Sequence, residues 1–403
     1  MKIKLNDKWT IKTAKELYTY TSGISKGSQF FGTGYPYLTF TEIFHNYFVP
    51  DELTSLVQSN DRERENCSIK RGDVFLTRTS ETDNELGMSC VALKDYPNAT
   101  FNGFTKRLRP LTDDVIPEYA GFYFRSPIFR AAVTSMSSII TRASLNEKML
   151  DKLPVCYPSK KAQQKIASIL SAYDNLIQNY KKQIEALQTA ASELYKEWFV
   201  RFRFPSYQTA EFENGIPEGW KVEKLFDVAK IIYGYPFNSD EFCDDSTLNP
   251  VVRIRDILDN HTDTYTSESC DEKYWINPNE MLIGMDGIFH MTLWTGERAL
   301  QNQRTVRVTS KVRNLSNYYL YFSLYPQIKA LEQMIVGTTV AHLGDKHLKK
   351  ITILIPEDKI LKMSYEKLEP MMNRIYSLQQ QITNLTQQRD LLLPRLMSGK
   401  LEV

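Results

Sequence analysis

The residues of this 403-residue chain that could do chemistry are scattered and form no reactive constellation. Asp271, Glu272 and Lys273, and again Glu357, Asp358 and Lys359, have the acid and lysine spacing found in some nucleases, yet such triples are also common on solvated surfaces. No Gly-x-x-x-x-Gly-Lys-Ser/Thr phosphate loop occurs, so ATP binding by this chain is not expected. Asn249-Pro250 and Asn277-Pro278 continue into Val and Asn, and not into the Pro and aromatic expected of an adenine methyltransferase. His342 and His347 stand five apart, Cys243 and Cys270 are remote from each other, and the five cysteines contain no CxxC pair. Neither a metal site, nor a cofactor, nor a disulfide framework is therefore expected. What remains is binding chemistry.

Three groups of residues suit nucleic acid. Arg253 and Arg255 alternate along a predicted strand, so they project from one face, where guanidinium groups could grip phosphates or the O6/N7 edge of guanine; a solvated sheet face is the plain alternative. Gln301, Asn302, Gln303 and Arg304 form a loop of planar amides and one cation, suited to adenine edges and phosphate. Lys106, Arg107 and Arg109, with Arg78 near them in the predicted strand order, make a basic cluster at the equivalent place earlier in the chain, or else a surface charge group. The net charge of +2, from 50 basic and 48 acidic residues, neither demands nor excludes a nucleic-acid partner. Charge without base-edge geometry confers affinity and no sequence preference.

These groups need elements to position them, and the chain is organised around the stretch 163–205. It has no Gly and no Pro before Pro205, and its apolar residues fall at Leu170, Tyr173, Ile177, Tyr180, Ile184, Leu187, Ala191, Leu194 and Trp198. Alternating steps of three and four put one apolar seam on a straight helix, the pattern of a coiled-coil strand. Such a helix would run roughly 60 Å and cannot bury its seam alone. The partner appears 198 positions later, at Leu368, Met371, Ile375, Leu378, Ile382, Leu385, Leu392 and Leu396, with Arg389 facing the place of Ala191. The same offset lays Leu108 and Arg109 on Val306 and Arg307, Tyr123 and Phe124 on Tyr321 and Phe322, and Pro158 on Pro356, a register of about ninety residues without a gap. Tyr173, Tyr180 and Trp198 read as seam core and not as base-stacking rings.

Upstream of each helix lies a globule. The second opens like the first: Trp220 matches Trp9, Gly234 matches Gly23, Ser239 matches Ser28 and Phe242 matches Phe31, all 211 positions apart. Strands are predicted over 37–43, 74–77, 251–257, 281–283 and 305–308, and helices over 119–136 and 317–334. Pro370 should kink the second long helix or mark its first turn, and Pro394 with Gly399 should end it. The expected fold is α/β (α+β): two similar globular domains, separated by two long helices that pair as an antiparallel coiled coil with a pseudo-two-fold internal repeat. The expected boundaries are 1–157 and 206–355 for the globules, and 158–205 and 356–403 for the helices. Antiparallel return would set two readers at opposite ends of a rod, suited to duplex half-sites about 34 Å apart. No run of about 18 apolar residues occurs, so a membrane span is not expected and the chain reads as cytoplasmic.

On this organisation the chain resembles the specificity subunits of type I restriction-modification systems. The resemblance rests on Leu194-Tyr195-Lys196-Glu197-Trp198-Phe199-Val200 closing the first helix, Ile216-Pro217-Glu218-Gly219-Trp220 opening the second globule, and 391–401 (Leu-Leu-Leu-Pro-Arg-Leu-Met-Ser-Gly-Lys-Leu) at the end, in that order within a duplication. It implies that each globule reads one half of a split sequence on double-stranded DNA and that the helices fix the unread spacing. It further implies two docked methyltransferase subunits, restriction subunits in the full complex, and no catalysis by this chain. The outward helix residues Lys181, Lys182, Glu185, Gln188, Gln379, Gln380 and Gln387 are then candidates for docking. The competing reading is a duplicated coiled-coil scaffold that binds only protein.

Overall fold

The computed structural model describes residues 9–80, 85–136, 143–335 and 342–403, so the first eight residues of the expected 1–157 domain lie outside it. The chain forms two compact units, 1–176 with 385–403, and 177–384. Both have the same plan. In the first unit, Thr10–Thr13 pairs antiparallel with Pro154–Tyr157, closing the globule at its two ends. A four-stranded antiparallel sheet follows in the order Tyr18–Ser22, Thr105–Pro110, Val74–Thr77, Ser89–Val91. In the second unit, Lys221–Lys224 pairs with Thr352–Ile355, and the sheet order is Ala229–Tyr233, Thr305–Ser310, Met281–Gly284, Met291–Leu293. The duplication is therefore one of strand order and register as well as of sequence.

Register refines the sequence alignment. Arg107 stands opposite Phe75 and Arg307 opposite Leu282, so the matching arginines are 107 and 307, an offset of 200 in this strand where 198 was expected. The adjoining helices agree. Tyr119 donates its hydroxyl hydrogen to the Cys156 carbonyl at 3.0 Å, and Tyr319 donates to the Leu354 carbonyl, which sits at the same place in the closing strand. The offset is back to 198 at the closing strands, Pro154–Tyr157 and Thr352–Ile355. A two-residue change thus interrupts the register expected to run without a gap.

Two predicted strands end early because of capping chemistry. After the strand Phe31–Leu38, Thr39 Oγ1 accepts from the Glu42 amide at 3.1 Å while Glu42 Oε2 accepts from the Thr39 amide at 2.8 Å. This reciprocal pair nucleates the helix Phe40–His45, where 37–43 read as extended. In the second unit the strand is Asn249–Val252, and Asp256 Oδ2 accepts the Arg253 amide at 2.9 Å, folding Ile254–Asp256 into a tight helical turn. The helix predicted over 119–136 is two, Pro117–Tyr123 and Pro127–Met136, because a residue before proline is disfavoured in helical conformation.

The long helices are Lys160–Tyr195, continued by a wider turn over Lys196–Val200, and Asp358–Met397. The second runs on through Pro370, passes Pro394 and stops at Met397, two residues before Gly399, whose positive φ of 68° marks the expected end. Burial of Leu361, Leu368, Met372 and Ile375 on either side of Pro370 offsets the one backbone hydrogen bond lost there. Direction is legible inside each unit. In the first, Ile166, Ala167 and Leu170 share a core with Leu393, Leu396 and Met397, and Asp174 Oδ1 meets Arg389 Nη1 at 2.6 Å. In the second, Ile184, Leu187, Ala191, Leu194 and Trp198 share a core with Leu368, Met371, Met372 and Ile375, and Arg374 reaches Gln183 at 3.4 Å. Early residues of one helix meet late residues of the other, so they pair antiparallel. Ile177, Leu378 and Ile382 are buried, and Tyr173, Tyr180, Leu385 and Leu392 are half-buried.

Candidate nucleic-acid interface

Each four-stranded sheet carries a turn closed by the same Thr-to-Asn bond. In the first unit Thr105 Oγ1 donates to the Asn102 carbonyl at 2.6 Å and Asn102 Oδ1 accepts from the Phe104 amide at 2.7 Å. In the second, Thr305 Oγ1 donates to the Asn302 carbonyl at 2.7 Å and Asn302 Oδ1 accepts from the Gln303 amide at 2.9 Å. A glycine from the first sheet strand's end lies against each turn. A β-carbon at Gly23 would stand 2.3 Å from the Phe101 and Asn102 carbonyl oxygens, and one at Gly234 would stand 1.9 Å from that of Asn302. No side chain fits either place. The frame of Asn, Thr and Gly is thus fixed by hydrogen bonding and steric contact, and it holds two residues at its tip.

Most of the cationic residues singled out in sequence turn inward. Arg107 is buried and donates from Nη1 to the carbonyls of Asn66 (3.2 Å) and Ser68 (2.6 Å), and from Nη2 to Thr21 Oγ1 (3.1 Å). Burial pushes its guanidinium pKa down. Arg307 is its counterpart, donating to the carbonyls of Lys273 and Trp275 and pairing with Glu280 Oε2 at 2.6 Å. Arg109 grips the fully buried Asp73 carboxylate with two bonds of 2.6 and 2.8 Å. Lys106 Nζ meets Glu147 Oε1 at 2.8 Å, and that contact holds the Glu147 carboxyl below its usual range. Gln301 is wholly buried and donates to the carbonyls of Ile232 (3.0 Å) and Thr305 (3.2 Å). Asn302 is buried in the turn frame and Arg78 is half-buried. Arg253 lies over the Phe242 ring at 5.6 Å and bonds Thr264 Oγ1, while Arg255, outside any strand, is 71% exposed. The two therefore do not alternate on a sheet face.

Gln303, Arg304 and Arg255 are left exposed in the second unit, Arg255 with its Nε 3.6 Å from Asp256 Oδ1. Arg304 has a positive φ of 69° and lies 3.3 Å from Asp286 Oδ2, whose Oδ1 meets His342 Nδ1 at 2.6 Å. In the first unit, sequence reasoning passed over the run 27–35, Gly-Ser-Gln-Phe-Phe-Gly-Thr-Gly-Tyr, which is exposed throughout and contains no acid. Arg64 stacks 3.8 Å from the Tyr35 ring centroid, and Lys26 lies 5.3 Å from that of Phe30. Gly103 in the turn tip lies against Ile24 and Ser25, just before this run, since a β-carbon there would stand 2.1 Å from Ser25 Oγ. The available signal was glycine alternating with aromatic and amide side chains; Gly32 and Gly34 both have positive φ.

Several aromatic residues outside this interface serve packing. Trp198, Phe199, Phe204 and Trp220 form one aromatic cluster, with Phe199 and Phe204 centroids 5.9 and 5.0 Å from Trp220. Glu272 of the first acid and lysine triple pairs with Arg298. Among the described residues no three His, Cys, Asp or Glu side chains are grouped to hold a metal ion, and no helix is long and apolar enough to cross a membrane.

Comparison with known proteins agrees with this architecture. The family model for the type I restriction modification DNA specificity domain matches residues 6–189 and 217–387. The type I restriction enzyme MjaIX specificity subunit of Methanocaldococcus jannaschii is 27% identical over 427 residues, covering 99% of this chain and 95% of that protein. The EcoBI specificity subunit of Escherichia coli is 30% identical over 172 residues, covering 43% of this chain and 36% of that protein. In fold, the chain is similar to the crystal structure of the type I restriction-modification S subunit from M. genitalium, with a TM-score of 0.61 over 97% of this chain and 96% of that one, at 13% identity.

Proposed function

Because the chain belongs to the type I restriction modification DNA specificity family, we propose that it is the sequence-reading subunit of a type I restriction-modification complex. Each unit reads one half of a two-part target on double-stranded DNA, and the paired helices fix the unread base pairs between the halves. The observation that carries this reading is the duplicated turn: the same Thr-to-Asn bond, made by Thr105 and Asn102 and again by Thr305 and Asn302, closes two tips with different exposed residues. A constant frame with variable tips suits recognition of two different half-sites.

Two methyltransferase subunits dock on this chain along the solvent faces of the helices, where Lys181, Lys182, Glu185 and Gln387 are exposed. Gln380 is held by the Thr295 carbonyl at 2.8 Å and contributes less. Restriction subunits join the same complex, and the methylation and cleavage belong to those partners, in the cytoplasm where the chromosome lies. The DNA contacts fall on Gln303, Arg304 and Arg255 in the second unit, and on Phe104 and the run 27–35 in the first. Arg107, Arg109 and Gln301 hold the frame behind them. The test is methylation sequencing of a host carrying this chain with its methyltransferase, beside the same host with this chain deleted. A two-part adenine-methylation motif that vanishes on deletion supports the reading; a motif that survives deletion refutes it.

A further inference from the structure

The duplication provides an internal control on what the turn is for. Thr105 and Thr305 bond the Asn102 and Asn302 carbonyls alike, and Gly23 and Gly234 press on those same carbonyls, so folding accounts for these residues. The tips differ. Phe104 is 57% exposed, and the Arg304 side chain at the same place is 59% exposed. Arg304 also adopts φ +69°, a conformation that glycine or asparagine takes with less strain than a residue with a long side chain. Folding alone therefore gives no reason for an arginine here.

What surrounds Arg304 does give one. The Asp286 carboxylate faces two partners, Arg304 Nη1 at 3.3 Å from Oδ2 and His342 Nδ1 at 2.6 Å from Oδ1. The imidazole fixes the carboxylate, and the carboxylate fixes one end of the guanidinium while most of it faces solvent. A long side chain displayed in one orientation loses less entropy on binding than a free one. A planar fork is also the group that pairs with the O6 and N7 acceptors of guanine. We infer that Arg304 is a specificity-determining residue for the second half-site, donating to a guanine edge, with Asp286 and His342 as positioning residues. Phe104 occupies that place in the first unit and makes an apolar contact, so the two half-sites are read by unlike chemistry. This inference rests on the proposed sequence-reading function.

The experiment uses the full chain assembled with its methyltransferase subunits and measures binding to a library of duplexes varied across the target. Arg304→Gly is expected to leave the melting temperature unchanged or raised, and to leave the first half-site intact. It should flatten the preference at one guanine of the second half-site by roughly 5- to 150-fold, the range of a bidentate base contact. Arg304→Lys, which keeps the charge and loses the fork, should flatten the same position, and Asp286→Ala should do so to a smaller extent. Phe104→Ala should change the first half-site alone. A uniform loss across all sequences with a shallower salt dependence would mean a phosphate contact and would overturn the assignment, as would an unchanged motif. A wild-type complex with no two-part preference would overturn the sequence-reading function itself and this assignment with it.

Discussion

Replacing Arg307 by methionine separates a structural arginine from a DNA-reading one. The guanidinium is 4% exposed as a residue and serves three acceptors, the carbonyls of Lys273 and Trp275 and the Glu280 carboxylate at 2.6 Å. Methionine keeps the aliphatic stem and removes every donor. The Glu280 side chain is only 20% exposed, so its charge is left largely buried with the Asn277 amide, 2.6 Å away, as its remaining donor. Breaking a buried pair from one side costs about 3–5 kcal/mol. In a unit of about 200 residues each kcal/mol lowers the melting temperature by about 2–4 °C, so a fall of about 6–20 °C is expected by calorimetry. Arg307→Met with Glu280→Leu should recover part of that loss, because the orphaned charge is gone. Titrating DNA binding against salt below the melting point should give the wild-type slope, since this guanidinium reaches no phosphate. A melting temperature within two or so degrees of wild type, with the slope shallower by about 0.9, would refute the structural role and make Arg307 a phosphate contact.

Two further outcomes follow from contacts described above. Gly234→Ala, whose β-carbon would stand 1.9 Å from the Asn302 carbonyl oxygen, should destabilise the second unit by about 1–3 kcal/mol in urea unfolding; an unchanged midpoint would show that the turn frame yields freely. Asp114 accepts from Lys12 at 2.8 Å and from the Tyr157 hydroxyl at 3.3 Å, and the Lys12 contact holds its carboxyl below the usual range. An acid with a lowered folded pKa stabilises above its ordinary value near 3.9 and loses that contribution as pH falls through the folded value. Amide exchange in Thr10–Thr13 and Pro154–Tyr157 should therefore accelerate, relative to intrinsic rates, below about pH 4, and Asp114→Asn should abolish that dependence.

The duplication, the two long helices and their apolar seam were legible because they are periodic signals carried by many residues. Local reversals were not, because each rests on one or two polar bonds. Thr39 and Glu42 form a capping box that three residues of spacing do announce, yet the aromatic and β-branched run around them reads more strongly as strand. The seam was displaced by one position at Met372, which is buried where Met371 is only half-buried, since a straight helix drifts against a fixed three-four count. The basic residues posed the hardest problem. An arginine in a strand looks the same in sequence whether it faces phosphate or caps buried carbonyls, and Arg107 and Arg307 do the latter through tertiary neighbours some thirty to forty positions earlier in the chain. Their correct pairing also needed the offset of 200, which only strand register revealed. Arg304 was among the residues singled out, whereas its support Asp286, 18 positions earlier, was not, and His342, 38 positions later, was weighed only as a metal ligand.

The antiparallel pairs that close each globule, Thr10–Thr13 with Pro154–Tyr157 and Lys221–Lys224 with Thr352–Ile355, have a consequence for inheritance. They bring the first and last strands of a reading module side by side, and a ladder of backbone hydrogen bonds joins them whatever side chains they carry. A module flanked in this way can be exchanged as a cassette: two crossovers, one at each closing strand, would deliver a foreign reader already anchored at both ends. The repeat of the same closure in both halves makes either slot a recipient, and even lets one half donate to the other. Exchange of one such cassette would alter one half of a two-part target and leave the other half and the helices as they were.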